Sequence, residues 1–404
     1  MSAAQQRYDV LIVGAGPAGL TMALALAKSA PGIRVALVDR RPLSVPRDNR
    51  ASAIAAGVRR VFEALGVWGE MVDQSQPILA MNITDSGKRD LARPLFLQFD
   101  GEVAPGEPFA HMVPNSASGS ALLAAAQDLI TVITPAEIAS WSETGTLTLS
   151  DGRLLSAPLI IAADGGQSAL RQRAGIETFG HDYGQTGLVA TIAHELPHGG
   201  VAYEHFRPNG PFASLPLTGN RSSLVWTESS QEAPRFLAMD TETVEAEIEA
   251  VMGSTLGAVT LEDKLMGFPL RLQIAKSFVG PRLALIGDAA HVVHPIAGQG
   301  LNLGLKDVAA LAEVIIEAMR LGLDHGGDDV LARYQNWRQF DTASMAVVTD
   351  GMNRLFSNDI APVRAIRDFG LGLVDRTGPV KNLLIRTASG IGGRGPKLLS
   401  GLPI

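Results

Sequence analysis

The chain has 404 residues, 46% apolar and 19% charged, which is ample material for a large buried core. Its net charge of −7 and the lack of any Lys/Arg run argue against nucleic acid as a partner, and the absence of cysteine excludes disulfides, thiolate catalysis, iron–sulfur clusters and cysteine zinc sites. Residues 1–7 are too short and polar for a secretory signal, and no apolar run reaches the about 18 residues of a membrane span, so a cytoplasmic protein is expected.

Residues 8–13 and 33–38 are predicted strands, and Leu20, Ala23, Leu24 and Ala27 between them repeat at the i, i+3, i+4, i+7 spacing of a helix. Gly14, Gly16 and Gly19 form a G-x-G-x-x-G motif between the first strand and that helix. The first glycine allows the tight turn, the second lets backbone approach a pyrophosphate, and the third permits close helix packing. Amides at the helix start then face the phosphate. Asp39, at the end of the second strand, is placed to accept hydrogen bonds from an adenosine ribose, which favours FAD or NAD over NADP, while Arg40 and Arg41 keep a phosphate alternative open.

Residues 52–65 read as a helix closed by Gly66, and residues 78–107 dissolve into Pro, Gly and charged positions, an excursion out of the sheet. Residues 147–149 and 153–155 flank an Asp151-Gly152 hairpin turn, and residues 159–163 are a buried strand ending at Asp164-Gly165. That pair alone is an ordinary turn. Strand-like pieces at 188–193, 201–206, 212–217 and 223–227, separated by turn residues, predict an antiparallel sheet, and 241–252 a helix. A strand at 282–286 delivers Gly287-Asp288, whose carboxylate suits ribityl hydroxyls. A helix over 302–320, starting near Gly300, then turns its positive end and the amides of the turn at 298–301 toward a flavin.

The predicted fold is α/β. A discontinuous Rossmann-like FAD-binding domain takes residues 1–75, 111–180 and 276–350, an antiparallel-sheet substrate domain takes 76–110 and 181–275, and 351–404 is a helical C-terminal segment. That last segment carries eight Lys or Arg against three Asp. Val363, Ile366, Leu371 and Leu373 with Arg364, Arg367 and Arg376 suit either a basic surface resting on anionic lipid or a helix packed on the flavin domain. His181, His194, His198 and His205 lack ligand spacing, so no metal is expected, and Ser168 has no G-x-S-x-G elbow.

Residues 294–307, from His294-Pro295 through Gly298-Gln299-Gly300-Leu301-Asn302 to Lys306-Asp307, resemble the fingerprint of the ubiquinone-biosynthesis hydroxylases of the UbiH type. These belong to the class A flavoprotein aromatic hydroxylases typified by para-hydroxybenzoate hydroxylase. Residues 50–54, 64–68 and 354–358 resemble further family markers, so the similarity spans about residues 8–390. The resemblance implies that Gly14, Gly16, Pro17 and Ala18 wrap the FAD pyrophosphate, Asp39 takes the ribose, Arg50 lies near the phosphates, and Asp288 holds the ribityl chain. Pro295 and Gly298, Gln299, Gly300, Leu301 and Asn302 would border the isoalloxazine. Where many class A hydroxylases carry an arginine after the second domain-crossing segment, this chain has Asn115-Ser116, as the ubiquinone branch often does.

The implied activity is ring hydroxylation of a polyprenylated phenol by dioxygen through a flavin C4a-hydroperoxide, with electrons from NAD(P)H or a protein reductase. Phe212, Leu215, Leu217 and Trp226 are the expected substrate pocket. Pro295 and His291 are the catalytic candidates, although a structural role is the simpler reading of both His291 and His294. Peripheral contact with the inner membrane, association with other ubiquinone-pathway proteins and self-association are further expectations. The alternatives are a hydroxylase of soluble aromatics, a flavin-dependent isoprenoid reductase and a non-catalytic prenyl-group escort.

Overall fold

Val10–Val13 (β1) is a run of four apolar residues buried on both faces, the pattern of a central parallel strand. The computed structural model describes residues 5–45, 49–85, 95–100, 102–356 and 395–404. After β1 come helix Pro17–Ser29 (α1), started by proline at its first turn, and strand Val35–Val38 (β2). Ala51–Ala55 (β3) follows, then Ala56–Ala64 (α2), which Gly66 closes at φ +66. The helix expected from residue 52 therefore begins four residues later. Ala51–Ala55 pairs antiparallel with Ala110–Pro114, and that tertiary ladder overrides local helical preference.

The excursion contains Ala80–Asp85 (β4) and returns through Ala110–Pro114 (β5) to helix Asn115–Ala126 (α3), strand Thr131–Ile133 (β6) and strand Leu159–Ala162 (β7). The hairpin lies between Thr146–Leu149 and Leu154–Ser156, with Gly152 at φ +86. Beyond β7 come Thr178–His194 (β8), Val201–Phe206 (β9), Phe212–Leu217 (β10) and Arg221–Ser229 (β11). Helix Thr241–Met252 (α4) has the expected bounds, capped where Asp240 Oδ1 accepts the Thr243 amide at 2.9 Å. Met266–Ala275 (β12), Leu283–Leu285 (β13), Gln299–Arg320 (α5) and Asp328–Phe356 (α6) complete the labelled elements.

Two sheets organise the molecule. The first is six-stranded in the order β6-β2-β1-β7-β13 followed by Val279–Gly280, parallel except for that last edge. The second has nine strands: His291–Val292, β12, β8, β11, β10, β9, β4 and Leu95–Asp100 in order, with Val259–Leu261 pairing β8 off that path. It is antiparallel except between β9 and β4. α1 and α5 are buried along most of their lengths and share one core with the six-stranded sheet. The expected C-terminal segment divides: α6 runs to Phe356, whereas Leu398, Leu399 and Ile404 join the core of the nucleotide unit. Residues 363–376, the expected basic surface, lie outside the described residues.

Candidate active site

A cleft of about 1010 Å³ lies at the carboxyl ends of β1 and β7 and extends to the face of the nine-stranded sheet. Open parallel sheets bind ligands at this end of their strands. Gly14 sits at φ +109, and a Cβ there would lie 2.2 Å from the Ala163 carbonyl oxygen. A Cβ at Gly19 would lie 1.9 Å from the Gly14 carbonyl oxygen, whereas one at Gly16 would meet nothing within 4 Å. Gly14 and Gly19 therefore serve turn and packing, and Gly16 leaves its backbone open to a ligand. Gly14, Gly16, Pro17 and Ala18 line the cleft; Gly19 packs behind it.

Asp39 is held by two backbone amides: Ala15 donates to Oδ2 and Arg41 to Oδ1, each at 2.8 Å. A carboxylate accepts about four hydrogen bonds, so acceptor capacity remains for ribose hydroxyls. Arg40 and Arg50 line the same end, with the Arg50 guanidinium 5.2 Å from the Phe268 ring centroid. Asn115 is also in the cleft wall, with the Ser52 hydroxyl donating to its Oδ1 at 2.8 Å.

The end of the cleft expected to face a flavin is assembled by three turns. Asp164 Oδ2 accepts the Ala169 amide at 2.8 Å, while its Oδ1 is buried without a partner, an acceptor suited to a ligand hydroxyl. Gly287 (φ +59) turns the chain so that Asp288 opens onto the cleft. The surrounding protein pushes the Asp288 carboxyl above its ordinary range against the opposing pull of His291 and Arg271. Gly298, the N-cap of α5 at φ +61, leaves the first-turn amides of that helix without intrahelical partners. Gly165, Pro295, Gly298, Gly300 and Leu301 line this end. The orphaned Asp164 oxygen, the open backbone at Gly16 and Gly300, and the positive ends of α1 and α5 fit an FAD.

Several predicted residues stand one layer back. Asn302 spends its side chain on backbone, accepting from Ala55 N at 2.9 Å and donating to Ala53 O at 2.8 Å and Gly298 O at 3.0 Å. Gln299 is buried and does not line the cleft. His291, expected as a catalytic candidate, is also outside the cleft, and its Nε2 meets Asp307 Oδ2 at 2.6 Å. Two supports had no assigned role in the sequence. Asp307, fully buried, also accepts the Gly287 amide at 3.0 Å and Arg338 Nε at 2.8 Å, which holds the Asp288 turn in place. Arg171 donates to Ala289 O at 2.8 Å and Gly166 O at 2.9 Å, tying the turns after β7 and β13 together. Asp307 lies inside the fingerprint, but its partner Arg338 is reached only through the fold.

The substrate wall needs a correction. Phe212 and Trp226 are cross-strand partners facing away from the cleft, where they pack with Phe236. Leu217 shares the face of Leu215 but stands outside the cleft wall, buried with Ile78, Ala110, Met112 and Ala202. Side chains alternate along a strand, so the set opposite Phe212 and Trp226, namely Ala213 and Leu215 of β10 with Val225 and Thr227 of β11, faces the cleft beside Glu204 of β9. His294, which also lines the cleft, is fully buried, lacks a partner on either ring nitrogen, and is lowered by burial to about 4, so it is neutral. Among the described residues no cluster of His, Cys, Asp or Glu is arranged to hold a metal ion, and no helix is long and apolar enough to cross a membrane.

A family model described as FAD binding domain matches residues 7–347. Ubiquinone hydroxylase UbiL of Rhodospirillum rubrum is 44% identical over 98% of this chain and 93% of that protein. The 3-demethoxyubiquinol 3-hydroxylase of Escherichia coli is 33% identical over 96% of this chain and 99% of that one. Among solved structures, p-nitrophenol 4-monooxygenase PnpA from Pseudomonas putida superposes with a TM-score of 0.79 at 18% identity, covering 96% of this chain and 99% of that one, a likeness of fold.

Proposed function

Because the chain belongs to the FAD-binding family of the ubiquinone hydroxylases and is an FAD-dependent monooxygenase, we propose that it hydroxylates the ring of a polyprenylated phenol in ubiquinone biosynthesis. The observation that carries this reading is one cleft joining the Gly14–Asp39–Asp288 cradle to an apolar wall of Pro211, Ala213, Leu215 and Val225. A prenyl phenol needs both, with its ring against the flavin end and its tail against apolar surface.

Bound FAD, reduced by NAD(P)H or a protein reductase, supplies electrons and activates dioxygen. The chain supplies grip, orientation and exclusion of water. Gly16 and the amides opening α1 hold the pyrophosphate, Asp39 the ribose, and Asp164 and Asp288 hydroxyls along the ribityl chain. The amides at the start of α5 would stabilise negative charge at the flavin ring, and Pro295 with Leu301 would border the place of a substrate ring. The apolar wall keeps bulk water from the reacting carbon. Contact with the membrane through the basic stretch 363–376 belongs to the same proposal, since it would bring a lipid-dissolved phenol to the cleft.

The test is to incubate the FAD-loaded enzyme with a reductant and a short-tailed prenyl phenol, with and without dioxygen, and to weigh the product. One added ring oxygen that depends on dioxygen is expected. Saturation of the tail without oxygen, or no product from any prenyl phenol, overturns the reading.

A further inference from the structure

Glu204 has no role in holding the flavin, and its setting is unusual for a carboxyl. It lies on β9 between Ala202 and Phe206, which share its face. Ala202 packs with Ile78, Met112 and Leu217, and Phe206 packs with Ile83. Across the sheet Glu204 is in register with Ala213 of β10 and Ile83 of β4. It is only 6% exposed, and it lines the cleft. Its side chain makes no hydrogen bond or ion pair among the described residues. Burial alone pushes its carboxyl up to about 7.

A buried carboxyl without a partner is costly, and an apolar side chain would suit the surrounding clusters better. What distinguishes this position is that it lines the cleft on the strand next to Ala213 and Leu215, in the half proposed for the substrate. The missing partner is therefore a donor that arrives with the ligand. A phenol has one such donor, its ring hydroxyl, and loss of that proton makes the ring more nucleophilic.

We propose that Glu204 is a catalytic residue whose carboxylate accepts the ring hydroxyl of the substrate. The inference rests on the phenolic reading above. The proton passes from the phenol oxygen to a Glu204 Oε, and the O–H electron pair stays on the ring, raising electron density at the ortho and para carbons. One atom of dioxygen joins the ring carbon and the other leaves as water, the two electrons coming from the reduced cofactor of the monooxygenase activity. When the ring carbon that gained the oxygen sheds its hydrogen as a proton to water, Glu204 returns its own proton to the ring oxygen, which restores both the phenol and the carboxylate. A carboxyl poised near neutrality suits a transfer in both directions.

The experiment compares the FAD-loaded wild type with Glu204→Gln and Glu204→Asp. Flavin absorbance reports cofactor content, and spectral titration reports binding of a short-tailed prenyl phenol and of its methyl ether, which lacks the donor. In E204Q we expect full FAD content, phenol affinity lower by about tenfold, hydroxylation slower by about 100-fold, methyl ether affinity unchanged, and partial recovery in E204D. Equal phenol affinity and rate in E204Q, parallel loss of phenol and ether binding, or loss of FAD from both variants would overturn the assignment while leaving the phenolic reading intact. A wild type that neither binds nor hydroxylates the phenol overturns both.

Discussion

A methyl group added at Gly304 would lie 3.0 Å from the Gly287 Cα, one residue before Asp288. The strain of a Gly304→Ala change, about 1–3 kcal/mol, opposes roughly 1 kcal/mol gained from better helix propensity, so the protein is expected to fold and to bind FAD more weakly. A fluorescence titration of the apoprotein reads this directly. Gly14→Ala is harsher, because φ +109 and the nearby Ala163 carbonyl leave no relaxed alternative; colourless or insoluble protein is expected. Leu215→Arg should keep FAD and lose ring hydroxylation, since it places a charge on the apolar wall; unchanged product formation would remove Leu215 from the pocket. Glu204 also carries a stability signature. Its carboxyl rises from 4.5 unfolded to about 7 folded, so the native state holds the proton more tightly and loses stability as pH climbs through that window. E204Q should therefore raise the melting temperature more at pH 8 than at pH 5.

Among the elements, α5 carries most of the site's geometry: Gly298 and Leu301 face the cleft, Asn302 ties β3 to the turn, and Asp307 holds Gly287 from behind. α6 reaches the same place from the other side through Arg338 and through the Tyr334 hydroxyl, which donates to Leu285 O at 2.7 Å. Asp307→Asn would leave the buried Arg338 short of a counterion, a loss of about 3–5 kcal/mol visible as a lower urea midpoint. A midpoint within experimental error of wild type would show that Asp341 alone neutralises Arg338. These supports escaped the sequence because they are separated by some thirty residues and join helices whose packing is decided by the whole core.

At the scale of the molecule, the last residues fold back onto the nucleotide unit. The Lys397 amide donates to Glu313 Oε2 at 2.7 Å, and Arg320 donates to Ile404 O at 2.8 Å. Removing residues 361–404 would thus take Leu398 and Leu399 out of the core of the nucleotide unit and confound any test of membrane binding. Reversing Arg364, Arg367 and Arg376 to Glu leaves that anchor in place; liposome binding that falls in the variant supports the lipid contact, and equal binding removes it. The local motifs were readable because glycine spacing, strand-end aspartates and the helix-opening turn have short-range causes: a chain can approach a pyrophosphate or cap a helix in few ways. The α/β class followed from the same runs. Which parity of β10 and β11 faces the cleft was not readable, since Phe212 and Trp226 are as apolar as Leu215, and only packing against Phe236 assigns them to the far face. Likewise 51–55 became a strand only because 110–114 returned beside it, and Glu204 acquired meaning only when three strands set it, unpaired, in the wall of the cleft. Sequence alone determined the glycine and aspartate turns at the strand ends, whose geometry is local; tertiary structure decided which strand face meets the cleft, because burial of a side chain depends on what packs against each side of its strand.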